Sequence, residues 1–143
     1  MIESRQKTAR TLGWAGIIPF AALAATALVD LPDPIQQMLV GYAVAILAFL
    51  NGSLWAGALQ RTSDSPAPLI ASNLILLASL PALLMPMSAA AGWLAALFGL
   101  HLAAEWRWVL TGHPGWYRRM RLMLSSAAIA LLLVAAMAGA ANG

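Results

Sequence analysis

The sequence predicts an all-α, polytopic membrane protein: a bundle of five transmembrane helices with the N-terminus in the cytoplasm and the C-terminus outside. Three observations predict it. The 143 residues are 62% hydrophobic and 9% charged, where an ordinary soluble domain carries about 25% charged residues. The charges are confined, which leaves four uncharged runs: 11–29, 34–60, 65–104 and 122–143. All 8 Lys and Arg residues fall on one side of a five-span alternation, and the positive-inside bias makes that side cytoplasmic.

A helix needs about 20 apolar residues to cross a bilayer, and each span follows from that length. Residues 1–10, MIESRQKTAR, form a polar arm with Arg5, Lys7 and Arg10. The first span covers about 11–29, with Pro19 bending it. A basic arm, an apolar run and Ala25–Thr26–Ala27 loosely resemble a secretory signal, but the run is long for one, so it is expected to stay as a span. The segment DLPDP ends it. Asp30 and Asp33 are charged, Pro32 and Pro34 break the helix, and Pro34 suits the first turn of the next one. The second span covers about 35–60, and Arg61 with TSDSPAP forms the loop after it. The run 65–104 is about twice a span in length. It supplies two helices, over about 68–85 and, continuing past its end, 89–110, joined at the uncharged turn MPMSAAAG, with Pro81 as a kink in the first. TGHPG is a short loop with strong turn signals, and the fifth span covers about 117–139. One membrane domain over 1–143 is expected, without soluble domain or repeat.

Composition also excludes. The chain has no cysteine, which removes disulfides, thiolate zinc sites, iron–sulfur clusters and covalent haem together. The net charge of +3 and the pI of about 10.2 reflect arginines kept in cytoplasmic loops, and no nucleic-acid partner is expected. No cofactor and no metal are expected either: His113 lies in a loop, and His101 with Glu105 is half a metal site at most.

Polar residues inside spans are the ones to question. Asn51 lies nine residues before Gln60, roughly 13 Å from the cytoplasmic end of its helix. Trp55 follows one turn on. Gly41, Ala45, Ala48, Gly52 and Ala56 make a small-residue ridge beside them, suited to close helix packing. On that reading Gly52→Leu harms the fold more than Asn51→Ala. Asn73 lies near the cytoplasmic start of the third span. His101 and Glu105 share one face of the fourth, at i and i+4. Asn51, Trp55, Asn73, His101 and Glu105 therefore form a candidate polar cluster in the cytoplasmic half. A charged Glu at that depth is costly unless paired or protonated, and Arg61, Arg118 and Arg121 are candidate partners at neighbouring helix ends. Trp116, Tyr117, Arg118, Arg119 and Arg121 read as an interfacial set that meets anionic lipid headgroups or a partner.

Three stretches resemble a known family: LGWAGIIPFAALA in the first span, FLNGSLWAGAL in the second and WYRRMRLMLSSAAIALLL entering the fifth. They are similar to the membrane family called domain of unknown function 3429 (DUF3429), whose relatives include the transmembrane protein 69 group. Phe49, Leu50, Gly52 and Trp55 fit the family's second-span signature. Asn51 replaces a usual glycine, and Ala56 and Gly57 shift the final small residue by one. The resemblance implies a multi-pass protein of the bacterial inner (plasma) membrane. It implies no activity and carries over no catalytic residue.

The sequence shows no phosphate loop, no hydrolase elbow and no paired carboxylates. The leading functional expectation is a non-enzymatic integral membrane protein, a scaffold, accessory or assembly factor of a membrane complex. Its partners would be the bilayer, anionic headgroups, and other membrane proteins or itself. The alternative is a small transporter or proton-conducting protein that uses the polar cluster. A third reading, a membrane enzyme on a lipid-soluble substrate, has only His101 and Glu105 as acid/base groups.

Overall fold

Proline and glycine set where the helices begin and break. The computed structural model describes residues 2–29, 31–61 and 64–142. Among them, α1 (Ile2–Ala15) and α2 (Ile18–Thr26) are consecutive halves of one interrupted segment. They are followed by α3 (Asp33–Leu59), α4 (Ala67–Ser79), α5 (Met87–Trp108) and α6 (Gly115–Asn142). The chain is thus all-α, with five helical segments. A 3₁₀ turn, Leu80–Leu84, extends α4, and another, Leu110–Gly112, follows α5.

Four helices are long and apolar enough to cross a membrane: Asp33–Leu59, Ala67–Leu84, Met87–Trp108 and Gly115–Ala141. They lie where the second to fifth spans were expected. Pro34 occupies the first turn of α3 and Pro81 the first turn of the 3₁₀ segment. The first expected span differs. The structure breaks it at Gly16–Ile17, just before Pro19, which lacks an N–H to donate to the turn behind it. The freed geometry is used: the Tyr42 hydroxyl on α3 donates to the Gly16 carbonyl at 3.1 Å. The polar arm also differs from expectation. Most of residues 1–10 are helical and belong to α1, which buries no residue. Asp30 lies outside the described residues.

The surface is inverted relative to a protein bathed in water. Leu84, Phe49 and Met137 are 92%, 74% and 72% exposed, as expected where hydrocarbon is the solvent. Buried hydroxyls satisfy themselves on their own helices: Thr26 on the Leu23 carbonyl, Ser72 on Leu69 and Ser79 on Leu76. Such back-bonding avoids free polar groups where no water competes.

Helix α5 is the central element and packs against α3, α4 and α6, while α2 packs on α6 and α3. Its buried positions Ala90, Ala91, Leu94, Ala95, Leu97, Phe98, His101, Ala104 and Glu105 recur at the three- and four-residue spacing of one helix face. The main core gathers Phe20, Leu23, Leu47, Leu94, Phe98 and Leu132 around it. A smaller cluster of Leu54, Ala104 and Val109 closes the end where α5 stops. His101 and Glu105 therefore enter the bundle on the same apolar stripe that builds its core.

Candidate functional site

Glu105 is held from α6. Arg121 Nε donates to both carboxylate oxygens, at 3.2 Å to Oε1 and 3.1 Å to Oε2, and Nη2 donates to Oε2 at 2.6 Å. The Arg121 and Glu105 side chains are 8% and 1% exposed. Of the three arginines the sequence offered as partners, the structure selects Arg121. The reason lies in α6 itself: Arg121, Leu124, Ser125, Ala128, Leu132 and Ala135 are its buried positions in this region, again one helical stripe. Arg121 thereby leaves the interfacial set with which it was grouped. Its neighbours Trp116, Tyr117 and Arg118 are half-buried and Arg119 is exposed. Arg10 of α1 lies over the Trp116 ring, 5.7 Å from its centroid.

One turn deeper on α5, His101 is 1% exposed. It shares a face with Glu105, but no hydrogen bond joins the two among the described residues. The imidazole meets the backbone of Leu50 on α3, next to Asn51, which is 3% exposed. Leu54 packs with Ala104 one turn further along both helices, so Asn51 and His101 sit at one level of the α3–α5 contact. Both Asn51 side-chain atoms, Oδ1 and Nδ2, and His101 Nε2 are buried without a hydrogen-bond partner among the described residues. Each such group costs about 1–3 kcal/mol, so this level of the bundle carries unspent polar capacity.

The other two members of the expected cluster stand apart. Asn73 is exposed and donates to its own helix at the Leu69 carbonyl, 2.9 Å away. Trp55 is 44% exposed. Four residues turn a helix about 40° past a full circle, and that carries Trp55 off the edge of the inward face that Asn51 occupies. The small-residue ridge of α3 likewise turns outward: Ala45, Gly52 and Ala56 are exposed, and a Cβ added at Gly41 or Gly52 would meet nothing within 4 Å.

The glycine that does permit close packing on α3 is Gly57, where an added Cβ would lie 2.7 Å from Val109 Cγ1. Sequence reasoning missed this, because the contact comes from the segment just past α5. Two further ties gather at the same point. Arg61 Nη1 donates to the Val109 carbonyl at 3.1 Å and to Thr111 Oγ1 at 3.3 Å. His113 Nδ1 donates to the Val109 carbonyl at 3.0 Å. His113 also stacks on Tyr117, with ring centroids 4.9 Å apart. This end of the bundle is a clasp, and Glu105–Arg121 is its innermost bond.

No curated protein and no solved structure matches the chain. A family model described as protein of unknown function (DUF3429) matches residues 5–137. That stretch runs from the start of α1 to the last turns of α6, so the chain is a member of the DUF3429 family.

Proposed function

We propose that the chain is a multi-pass protein of the bacterial inner membrane, related to the transmembrane protein 69 group, that acts without catalysis as a scaffold, accessory or assembly factor of a membrane complex. It crosses the bilayer five times, with α1–α2 as the first pass, the N-terminus in the cytoplasm and the C-terminus outside. The one-sided distribution of Lys and Arg supports that orientation, and Trp116, Tyr117, Arg118 and Arg119 meet anionic headgroups on the cytoplasmic side. Fusion of reporters to the C-terminus tests it: periplasmic-type activity is expected, and cytoplasmic-type activity overturns it.

The observation that carries the scaffold reading is the outward ridge of α3. Small residues at four-residue spacing let helix backbones approach, yet Gly41 and Gly52 face open space. The polar groups nearest to chemistry point the same way. Glu105 is saturated by Arg121, and His101 is enclosed, so neither is presented to a lipid-soluble substrate as an acid or base. Because the native chain lacks cysteine, Ala45→Cys gives a unique handle for a photo-cross-linker in native membranes. A protein adduct of discrete mass is expected from Ala45 and not from Leu84→Cys, and it should vanish in Gly52→Leu. Adducts to lipid alone at both positions would remove the scaffold reading.

One observation favours the transport reading. Asn51 and His101 hold three unpartnered polar atoms at mid-helix, where a translocated proton, ion or polar solute would find donors and acceptors. Reconstituted vesicles loaded with a pH-sensitive dye test it. A proton flux lost in His101→Leu would promote this reading over the first.

A further inference from the structure

A cavity of about 440 Å³ lies between α1–α2, α3, α5 and α6, within the range of about 300–1,000 Å³ that small-molecule sites occupy. Leu12 and Phe49 at its lips are 66% and 74% exposed, whereas Phe20, Phe98 and Ala128 at its floor are each 2% exposed. It therefore opens sideways from the bundle, toward hydrocarbon, and ends inside the core. Its wall is apolar except at Ser53, Tyr117, Arg121 and Ser125.

The polar features are graded along one direction. Arg121 and Ser125 line the cavity and are themselves 7% and 3% exposed. Arg121 spends Nε and Nη2 on Glu105, and Nη1 is left without a hydrogen bond among the described residues. Arg118 stands three residues earlier on α6, about 4.5 Å closer to the end of the helix. Arg10 stands beside the cavity-lining Ala9 on α1 and reaches across to Trp116 of α6. No acidic residue occurs on α2 or α6, and Glu3 on α1 is six residues from Ala9. Arg10 and Arg118 do not line the cavity, but each adjoins a residue that does, Ala9 and Tyr117. Glu105 is already matched by Arg121, so the charge beside the cavity is net positive.

We propose that this cavity holds one acyl chain of an anionic phospholipid, with the phosphate at Arg10 and Arg118 and the ester carbonyls reaching Arg121 and Ser125. Donors at two depths fit a headgroup with a phosphate above its esters better than a lone carboxylate. The lateral opening lets the chain enter from the bilayer. The inference rests on the membrane placement of the protein, not on its scaffold role.

Native mass spectrometry of the full chain in mild detergent, titrated with dioleoylphosphatidylglycerol, dioleoylphosphatidylcholine or oleate, tests it. One phosphatidylglycerol per chain is expected, preferred over phosphatidylcholine by roughly tenfold or more, since two arginines contribute to the headgroup contact. Arg10→Gln combined with Arg118→Gln should reduce that preference to near parity with only a small fall in melting temperature, since the contact of exposed Arg10 with Trp116 is a weak one. Ala9→Phe, on a helix that buries no residue, puts a bulky ring into the cavity from its outer wall and should abolish the bound lipid. Equal binding of the two phospholipids, or full binding by Ala9→Phe, overturns the proposal. Preference for oleate overturns the phospholipid and assigns the cavity to free fatty acids. Release of the chain from membranes by alkaline carbonate would instead overturn the membrane placement itself.

Discussion

Two levels of the same bundle, one turn apart on α5, treat their polar groups in opposite ways. At the clasp, Glu105 and Arg121 consume one another, Arg61 and His113 consume the Val109 carbonyl, and Gly57 lets Val109 seat against α3. One turn deeper, Asn51 and His101 are as buried as Glu105 but leave three atoms without partners. Burial alone therefore does not distinguish structural polarity from polarity held in reserve; partner saturation does. A saturated level resists change and carries stability. An unsaturated one costs stability, and it is the level where water, a proton or a ligand has something to gain.

The largest expected effect breaks the saturated level. Glu105→Leu leaves Arg121 as an uncompensated buried cation, a loss of about 3–5 kcal/mol for removing one partner of such a pair. Yield and melting temperature in detergent should both collapse. Glu105→Gln keeps hydrogen-bonding capacity and should lose less. Glu105→Leu with Arg121→Met removes both charges and should recover most of the loss, since apolar replacement of a buried pair is often neutral. If the double variant is as damaged as Glu105→Leu, the pair is not acting as a closed unit and the contrast between the two levels fails.

Next in size is the steric test of the clasp. Gly57→Leu drives a side chain into Val109 and should cost about 1–3 kcal/mol, the usual penalty of overpacking. Gly52→Leu should leave the melting temperature of the isolated chain unchanged, because no neighbour lies within 4 Å of its added Cβ. This reverses the expectation drawn from the ridge in the sequence, where Gly52 was the sensitive position. Equal damage from both substitutions would mean that the ridge is covered even in the purified protein, for instance by a second copy of the chain.

That reversal shows what a membrane sequence reveals and what it withholds. Helix count and the limits of the four long helices were legible, because charge, proline and loop chemistry interrupt apolar runs at bilayer length. The shared face of His101 and Glu105 was legible from their i, i+4 spacing, and an arginine partner followed from the cost of a lone carboxylate. The direction in which α3 points was not legible. Its flanks are apolar all round, since lipid and core ask for the same residues, so periodicity cannot separate a face packed on this chain from one left for another. The break at Gly16–Ile17 was half legible: Pro19 announced a bend, but nothing in the residues announced that the basic arm would continue as helix. Gly57 and Val109 were beyond reach, because their contact joins segments about fifty positions apart.

The smallest expected effect probes the unsaturated level and runs opposite in sign. Asn51→Leu replaces a buried amide without partners by an apolar side chain of similar size. The amide has no partner among the described residues to lose, and removing its desolvation penalty of about 1–3 kcal/mol should raise stability, by roughly 1 kcal/mol after repacking. Thermal melting in detergent measures it. A drop in melting temperature would mean that Asn51 is paired in solution, through a water or solute that also reaches His101. The double-mutant cycle with His101→Leu then decides. Two groups that never meet give additive effects within about 0.5 kcal/mol. A bridging molecule couples them beyond that, because either substitution alone already removes the bridge and the second costs nothing further. Additive stabilisation would make this level a tolerated defect of an otherwise structural core. Coupled destabilisation would make it an occupied site, and would move His101 from the scaffold reading to the transport one.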